Sequence, residues 1–486
     1  MHSARIVSLW VLLSSAGACI STSPKASLGE ASQLVRSRSG EELRWFGEGG
    51  QEAAIEESRK LLSKPLTLAS AIQVSLLSNA ELQAKYEELG ISQADLAQAG
   101  RLKNPSLGSG YFFSLSGPGV DGFNVGLATE LLQFLTLGAR KDIARFGLEG
   151  TKYRVAAEVL RHFYGVKLAY FSVQAAQQTT TMREIVSGAA HAAVELSRRQ
   201  NAAGTNSDLD LANEESLYAQ TTMDLARSRA ELAAARERLN RTMGVWGANA
   251  GWTLQDKLPD VPEREPPRDH LESRAVAARY DLLALHKDVE LISYSLSLAK
   301  NTRWLGGIDA GVRYEKSAEG VRLLGPTVSV ELPIFDQRQG TIARIEAQLR
   351  QAQNRERLLA VNIRSEVREL CARLEVARRV VDTYRTTLVP MRERIVALSQ
   401  QQYDAMLLGV FQLLISKQNE ISTYREMIDA TRDYWTLRAE LEWAVGGNLG
   451  PETVGASTTS DAANPRPAPG TQERTQEGAH EHHQTP

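Results

Sequence analysis

The second half of this sequence repeats its first half about 200 residues later, with the same order of predicted elements. In each half an amphipathic helix precedes two short alternating segments, one very long helix, a turn and a return helix. The aligned segments are 107–111 with 308–312, 125–128 with 328–331, and 239–244 with 441–446. An offset that stays nearly constant over elements of different type indicates a tandem duplication. A unit of this size and mixed content excludes a solenoid or a propeller.

The composition indicates a folded, largely helical protein. Hydrophobic residues make up 42% of the 486 residues, charged residues 23%, and the formal net charge is −2. This balance excludes intrinsic disorder over most of the chain and gives no support for a nucleic-acid partner, which usually requires a basic surface. Only 16 prolines are present, which favours long helices.

The N-terminus reads as an export signal at residues 1–18. Arg5 precedes an apolar stretch at 6–16 that is too short to span a bilayer. The sequence Ala16-Gly17-Ala18-Cys19 is similar to a bacterial lipobox, which implies that Cys19 is acylated and becomes the mature N-terminus. An ordinary signal peptide that happens to contain a cysteine is the alternative. Ile20 follows in place of the aspartate that retains lipoproteins in the inner membrane, so the resemblance implies the outer membrane. Residues 19–64 are expected to form an extended or weakly helical arm.

Two pairs of short strands are predicted, one pair in each half. The first helix, 67–101, ends before Asn104-Pro105 because proline disfavours helical geometry in the preceding residue. The segments with period-two alternation are 107–115 and 124–131, separated by a turn at 117–119, and 308–315 and 327–332. A small soluble hairpin packed on helices is one interpretation.

Transmembrane strands are the other interpretation, since about nine residues suffice for a tilted strand to cross a bilayer. One chain offers only four strands, whereas a closed barrel needs about eight. Because lipid does not tolerate open strand edges, a membrane barrel would have to be shared by several chains.

Each strand pair is followed by a helix of unusual length and a return helix. Residues 139–200 contain no proline and would extend roughly 90 Å. The second long helix, 339–405, contains Pro390, where a kink is expected. These helices suit coiled-coil hairpins that reverse at 201–207 and 406–410. Ser207 is expected to cap the first return helix. We therefore divide the chain into a first repeat, 65–250, a second repeat, 268–448, and a disordered tail, 449–486.

No enzyme motif is present in the sequence. It lacks a phosphate-binding glycine loop, a G-x-S-x-G elbow, HExxH, CxxC and an EF-hand loop, so we expect neither catalysis nor a cofactor. Cys371 is expected to be a core residue. The tail residues His480, His482 and His483 form either a weak metal site or a solvated polar end.

Four motifs in order resemble the TolC-type outer-membrane efflux family over about residues 65–448. They are Asn104-Pro105, the strand-to-helix junction 330–338 (VELPIFDQR), Ala203-Gly204 followed by 208–211 (DLDL), and 438–442 (RAELE) before Val445-Gly446. The resemblance implies a mainly α fold with a small transmembrane β part: a homotrimer whose 12-stranded barrel, embedded in outer-membrane lipid, is continued by an α-helical periplasmic duct. It also implies that the chain is the outer-membrane channel of a tripartite efflux system, working with a periplasmic adaptor and an inner-membrane pump of the resistance-nodulation-division type.

The resemblance also assigns roles to the two hairpin tips. It implies adaptor docking at Ala203, Gly204, Thr205, Asn206, Met406, Leu407, Leu408, Gly409 and Val410. Asp210 matches a position that latches the entrance in the family, although stabilisation of the helix start explains the same residue. Residues 412–415 contain no acid, which argues against an acidic ring at the second tip.

Cargo is less constrained by the sequence. The segment 411–414 (FQLL) is closer to heavy-metal exporters and favours metal ions such as copper. A drug efflux channel, a type I protein secretion channel, and a periplasmic coiled-coil lipoprotein scaffold without a pore are the alternatives.

Overall fold

The computed structural model describes residues 23–47, 49–113, 122–254, 257–263, 265, 270–316 and 320–449. The predicted signal peptide, Cys19, the turn at 117–119 and the chain from 450 onward lie outside the described residues.

The N-terminal arm contains two helices, so the expectation of an extended or weakly helical arm is wrong for its described part. They are α1 (Lys25–Ser39) and α2 (Gln51–Leu62). Ala31 and Val35, one turn apart, are fully buried, and Tyr280 donates a hydrogen bond to the carbonyl oxygen of Leu34 at 2.9 Å. Helix α1 therefore packs on elements of both repeats, and this tertiary packing outweighs a sequence of weak intrinsic periodicity.

The first repeat begins with two helices where one was predicted. These are α3 (Leu68–Ser78) and α4 (Ala80–Ala99), so the prediction of one helix over 67–101 is wrong. Asn79 breaks the helix with an extended backbone; its side-chain oxygen accepts from the Leu82 N–H at 3.1 Å and its amide donates to the Thr242 carbonyl at 2.8 Å. Thr67 caps α3 by accepting a hydrogen bond from the Ser70 N–H at 3.2 Å.

The remaining elements of the first repeat follow the predicted order. They are β1 (Ser106–Phe112), β2 (Gly122–Glu130), α5 (Leu132–Ala202) and α6 (Asp208–Met243). Helix α5 has 71 residues, which corresponds to roughly 105 Å. It starts two residues after β2, so the sheet leads directly into the shaft.

The second repeat has the same order, and the tandem duplication is confirmed. Its elements are α7 (Leu271–Ala278), α8 (Tyr280–Asn301), β3 (Ile308–Lys316), β4 (Arg322–Val330), α9 (Gln339–Thr383), a π-helical turn (Tyr384–Leu388), α10 (Val389–Asp404) and α11 (Val410–Val445). Both return helices, α6 and α11, have 36 residues.

The duplication extends to atomic packing at the ends of the return helices. Gly244 and Gly446 both end their helices with positive φ, 74° and 82°. A Cβ on Gly244 would lie 2.5 Å from the Ser78 carbonyl oxygen, and one on Gly446 would lie 3.2 Å from the backbone of Ala278. Each return helix thus ends against the break between the two short helices that open its own repeat.

The expected irregularity at Pro390 is confirmed and takes the form of a π-turn. Proline lacks the N–H that would bond to the carbonyl of Thr386, and its ring crowds that carbonyl. The turn 384–388 lies immediately before it and accommodates the missing bond by widening the helix locally.

The hydrophobic core lies around the first half of α5, away from both the sheet and the tips. Fully buried side chains there include Val155, Val159 and Val166 of α5, with Leu239 of α6. The linker between the repeats also contributes: the Trp252 indole donates to Asn240 at 2.8 Å. The Trp435 indole donates to the Pro259 carbonyl at 2.8 Å. Both repeats therefore share one core through the linker.

Candidate functional site

The four strands form one antiparallel sheet with two chemically different faces. Their order is β1-β2-β3-β4, and the register pairs Leu107 with Leu127, Leu127 with Val312, and Val312 with Pro326. Directly paired residues project to the same side of a sheet. One face therefore carries mostly apolar residues: Leu107, Tyr111, Phe123, Val125, Leu127, Ile308, Ala310, Val312, Tyr314, Leu324, Pro326, Val328 and Val330. Its polar exceptions are Ser109 and Thr129, together with Lys316 and Arg322 at the strand ends remote from the helices.

The opposite face carries small, polar and charged residues. Its members are Gly108, Gly110, Asn124, Gly126, Ala128, Glu130, Asp309, Gly311, Arg313, Glu315, Thr327 and Ser329, with Phe112 and Leu323 as apolar exceptions near the strand ends. The apolar face is uncovered in the single chain, since Leu107 is 74% exposed and Val328 is 70% exposed. A continuous, exposed apolar face backed by a polar one is the pattern of a barrel wall between lipid and water.

Both edges of this sheet are open. Strands β1 and β4 each pair with one neighbour, and neither has a second strand partner among the described residues. Unpaired N–H and C=O groups along an apolar strand are unfavourable in lipid and invite pairing with another chain. The single chain therefore presents an incomplete sheet.

Aromatic side chains mark both ends of the strands. At the end remote from the helices, the Tyr111 and Phe113 ring centroids lie 4.8 Å apart and those of Phe123 and Tyr314 lie 5.7 Å apart. At the base, where the strands join the helices, Trp304 is 60% exposed. Amphipathic aromatic rings at the two boundaries are typical of membrane-facing sheets.

The first tip joins α5 to α6 through a well-bonded turn. Gly204 has φ = 74°, and the Thr205 N–H closes the helix end onto the Gln200 carbonyl at 2.9 Å. The Asn206 amide donates to Ser197 at 2.6 Å. Ser207 caps α6 by accepting from the Asp210 N–H at 3.1 Å, which confirms the predicted cap.

The Asp210 carboxylate is engaged within its own helix start. Ser207 donates a hydrogen bond to it at 2.6 Å. Sequence reasoning missed Glu214, one turn further along, which is 3% exposed. Burial raises the pKa of Glu214, and the negative charge of Asp210 raises it further. The first tip thus holds two interacting carboxylates, and a latch role for Asp210 stays a prediction.

The second tip makes the same turn without a glycine. Met406 stands where the first tip has Gly204, and it adopts φ = 58°, the left-handed region that side chains with a Cβ avoid. Met406 is 93% exposed and Leu407 is 79% exposed. Gly409 precedes α11 with no side-chain cap. An exposed, strained apolar turn is unfavourable for the isolated hairpin and points to a role outside its own stability.

A charged groove lies between the two return helices, beside the middle of α5. It measures about 650 Å³, and its floor includes Ala175 and Ala176 of α5. Its walls carry Arg183, Asp224, Arg227, Arg425, Asp429 and Arg432. Arg183 pairs with Asp224 at 3.1 Å and Arg432 with Asp429 at 2.9 Å. Small residues below and charged residues at the sides make a concave, polar surface.

A buried ionic network fixes the linker to the second return helix. Glu265 accepts a hydrogen bond from Tyr434, and Arg438 lies 3.6 Å from the Glu265 carboxylate and 3.8 Å from that of Glu442. Lys167 of α5 pairs with Glu442 at 2.6 Å. Breaking such a pair leaves a buried charge without a partner, so the network holds the repeats in a defined arrangement.

The described residues offer neither a membrane-spanning helix nor a cluster of metal ligands. In the described part of the chain, no helix is both long and apolar enough to cross a membrane. Among the same residues, no group of three or more His, Cys, Asp or Glu side chains is arranged to hold a metal ion. Cys19 and the histidines 480, 482 and 483 lie outside the described residues.

Comparison with known proteins gives consistent matches. The family model of the outer membrane efflux protein matches residues 71–245. The cobalt-zinc-cadmium resistance protein CzcC of Cupriavidus metallidurans is 24% identical over 416 residues, which cover 82% of this chain and 89% of that protein.

Solved structures share the fold at low sequence identity. CusC aligns with a TM-score of 0.65 at 15% identity, covering 78% of this chain and 92% of that one. The outer membrane protein VceC from Vibrio cholerae aligns with a TM-score of 0.65 at 14% identity, covering 79% and 97%. The prediction of a mainly α fold with a small β part, built from a tandem duplicated unit, is confirmed.

Proposed function

We propose that the chain is a member of the outer membrane efflux protein family, whose model matches residues 71–245, and that it is the outer-membrane channel subunit of a tripartite efflux system. Its role is to conduct substrate and not to transform it. The strands cross the outer membrane, and the helices continue the conduit into the periplasm.

The observation that carries this proposal is the sheet with one apolar face and two open edges. Three chains with four strands each would pair β4 of one copy with β1 of the next and close a 12-stranded barrel. Closure removes every unpaired edge from lipid and turns the apolar face outward and the polar face toward a water-filled interior. A homotrimer thus satisfies backbone groups that a single chain leaves open.

The tips support the assignment of partners. A periplasmic adaptor would dock at residues 203–206 and 406–410, and it would couple the duct to an inner-membrane pump of the resistance-nodulation-division type. The exposure of Met406 and Leu407 supports this, because exposed apolar side chains on a strained turn suit burial by a partner.

Single-channel recording of the purified full-length protein tests the channel. We expect stable conductance steps in planar bilayers and the mass of a trimer in mild detergent. A matched variant, Val312→Asp, places a charge on the lipid face without altering the register, and it should lose membrane insertion. A wild-type protein that remains monomeric and gives no conductance would leave the periplasmic scaffold as the better function.

For the cargo, we propose metal ions. CzcC is named as a cobalt-zinc-cadmium resistance protein, and its similarity covers most of both chains. Deletion strains challenged with cobalt, zinc, cadmium, copper and a panel of drugs would test this. Unchanged metal sensitivity on deletion would contradict it, and selective drug sensitivity or a secretion defect would favour the corresponding alternative.

We also propose that Cys19 carries a lipid that anchors the mature chain in the outer membrane. The lipobox-like segment before it supports this. Metabolic labelling with a fatty acid should mark the wild type and leave Cys19→Ser unlabelled. Equal labelling of both proteins would contradict acylation at this residue.

A further inference from the structure

We propose that the base of the sheet carries a binding site for the phosphate groups of anionic phospholipids in the periplasm-facing leaflet. The site is a belt of basic side chains beside Trp304. This inference rests on the proposed function only in that the sheet lies in the membrane.

The belt occurs at equivalent positions in the two repeats. Arg101 and Arg303 each lie five residues before the first strand of their repeat, β1 and β3. Arg338 directly precedes α9 and donates to the Thr302 hydroxyl at 2.9 Å, which places it beside Arg303. Arg140, near the start of α5, donates to the Arg101 carbonyl at 3.4 Å. The arginines therefore gather where strands become helices.

Helix pairing brings the two groups to one level of the molecule. Helices α5 and α8 run antiparallel: the Phe146 and Tyr294 ring centroids lie 4.8 Å apart, and Arg154 pairs with Asp288 at 2.9 Å. Continuing this pairing toward the sheet sets Arg140 level with the end of α8, close to Arg303. The belt thus extends across the base of the sheet in both repeats.

The belt has charge available for a ligand. Arg101, Arg140, Arg303 and Arg338 form no ion pair within the described ranges. The Nε atoms of Arg140 and Arg303 are buried and have no hydrogen-bond partner among the described residues. A buried guanidinium donor without an acceptor is unfavourable until an acceptor is supplied.

Nearby acids are engaged elsewhere. Glu130 pairs with Lys103 at 3.0 Å, outside the belt. Glu331 accepts from the Gly307 N–H at 3.0 Å, and Asp336 accepts from the Arg338 N–H at 2.7 Å. Glu130 is neutralised by Lys103, whereas Glu331 and Asp336 keep their negative charges. The four arginines of the belt outnumber these two carboxylates, so the belt keeps a net positive charge.

Apolar neighbours place the belt at the depth of lipid phosphates. Trp304 stacks under the Arg303 guanidinium, whose Cζ lies 4.5 Å from the ring centroid. Phe134 and Leu135, directly after β2, are 50% and 75% exposed. Strands of nine residues, when tilted, cover about 25 Å, so their ends lie at the hydrocarbon boundary and the belt lies just beyond it.

The chemistry of the belt selects an anionic phosphate. A guanidinium fork binds two phosphate oxygens, and stacking on an indole holds it in position. A choline headgroup would place a cation among the arginines. We therefore expect phosphatidylglycerol to bind in preference to phosphatidylcholine with the same acyl chains.

The test is lipid binding to the purified full-length trimer. Native mass spectrometry and thermal unfolding in detergent would be followed while phosphatidylglycerol or phosphatidylcholine is added. Wild type should retain and be stabilised by phosphatidylglycerol. Arg140→Gln with Arg303→Gln should weaken that binding about fivefold for each arginine removed. Arg355→Gln with Arg357→Gln, on exposed shaft positions of α9, is the matched control and should bind as wild type.

Several outcomes would overturn the proposal. Equal binding of the two lipids by wild type would do so without any variant. Wild-type affinity in the Arg140/Arg303 variant would also do so, as would equal stabilisation by inorganic phosphate alone, which would indicate a site for free anions. Conductance and trimer mass of the variant, measured in parallel, separate loss of the lipid site from failure of the channel assignment.

Discussion

Replacing Met406 by glycine should stabilise the second hairpin tip. The left-handed backbone costs a residue with a Cβ about 1–2 kcal/mol, and glycine avoids that cost. Glycine adds freedom to the open chain worth about 0.4–1 kcal/mol, which offsets part of the gain. Because Met406 is 93% exposed, removing its side chain loses little buried apolar surface. The net gain is about 1 kcal/mol, or a factor of about five in the local opening equilibrium.

Hydrogen exchange can measure this change in the opening equilibrium at a single backbone amide. The Leu407 N–H donates to the Gln402 carbonyl at 2.9 Å and is protected only while the turn is formed. Its protection factor should rise about fivefold in Met406→Gly. The reciprocal control is Gly204→Ala, where a Cβ meets no atom within 4 Å and only backbone strain is added. There the Thr205 amide, bonded to Gln200, should lose protection by about the same factor.

The pair of variants makes the reasoning refutable. If Gly204→Ala weakens protection at Thr205 while Met406→Gly leaves Leu407 unchanged or less protected, strain at Met406 is not the determinant of tip stability. If Met406→Gly stabilises the tip and also weakens adaptor binding, the methionine is retained for contact and not for folding.

Three further predictions concern the core. Burial lowers the pKa of His162 to about 4, below its usual 6.5, so the fold favours the neutral ring. This contribution is complete above about pH 6.5 and is lost as the pH falls toward 4, amounting to up to about 3 kcal/mol. His162→Leu should flatten the pH dependence of unfolding over that window by this amount, and equal slopes would contradict it. Gly244→Ala should cost more than about 2 kcal/mol, because its Cβ would lie 2.5 Å from the Ser78 carbonyl, whereas Gly188→Ala on the open face of α5 should be neutral or stabilising in the same thermal melt. Asn79→Ala should cost about 1–2 kcal/mol by removing the cap of α4, and no change in denaturant midpoint would argue against the cap.

Long periodic segments made most of the fold predictable. Period-two alternation gave all four strands, and the duplicated order located each hairpin, because side-chain period follows directly from backbone geometry. The break at Asn79 was not predicted because the helical spacing of apolar residues continues across it. Its signal is Asn79 as an N-cap, followed by Glu81 in the first turn of α4, where a negative charge opposes the helix dipole.

The parts of the site that escaped prediction depend on tertiary context. A glycine such as Gly204 indicates a left-handed turn, whereas a methionine does not. The left-handed backbone of Met406 could be expected only from its alignment with Gly204 in the other repeat. Glu214 reads as a solvated helix residue until packing against α5 buries it. Arg101 and Arg303 stand at equivalent positions of the two repeats, which the sequence shows. That both lie at the base of the sheet is seen only in the folded structure.

The π-turn at 384–388 gives the two copies of the repeat different mechanical properties. Helix α5, which leads away from the sheet in the first repeat, is continuous over 71 residues. Its counterpart in the second repeat, α9, ends after 45 residues at the π-turn, where the helix is locally wider. A helix under a bending force bends most where its hydrogen bonding is irregular. In an assembly that holds both repeats at the sheet, unbroken outbound helices would alternate with outbound helices that can bend at the π-turn. Helix α11 runs unbroken alongside this joint, and its Glu426 accepts a hydrogen bond from the Tyr384 hydroxyl at 3.1 Å, so the return helix carries the bending that the outbound helix cannot resist.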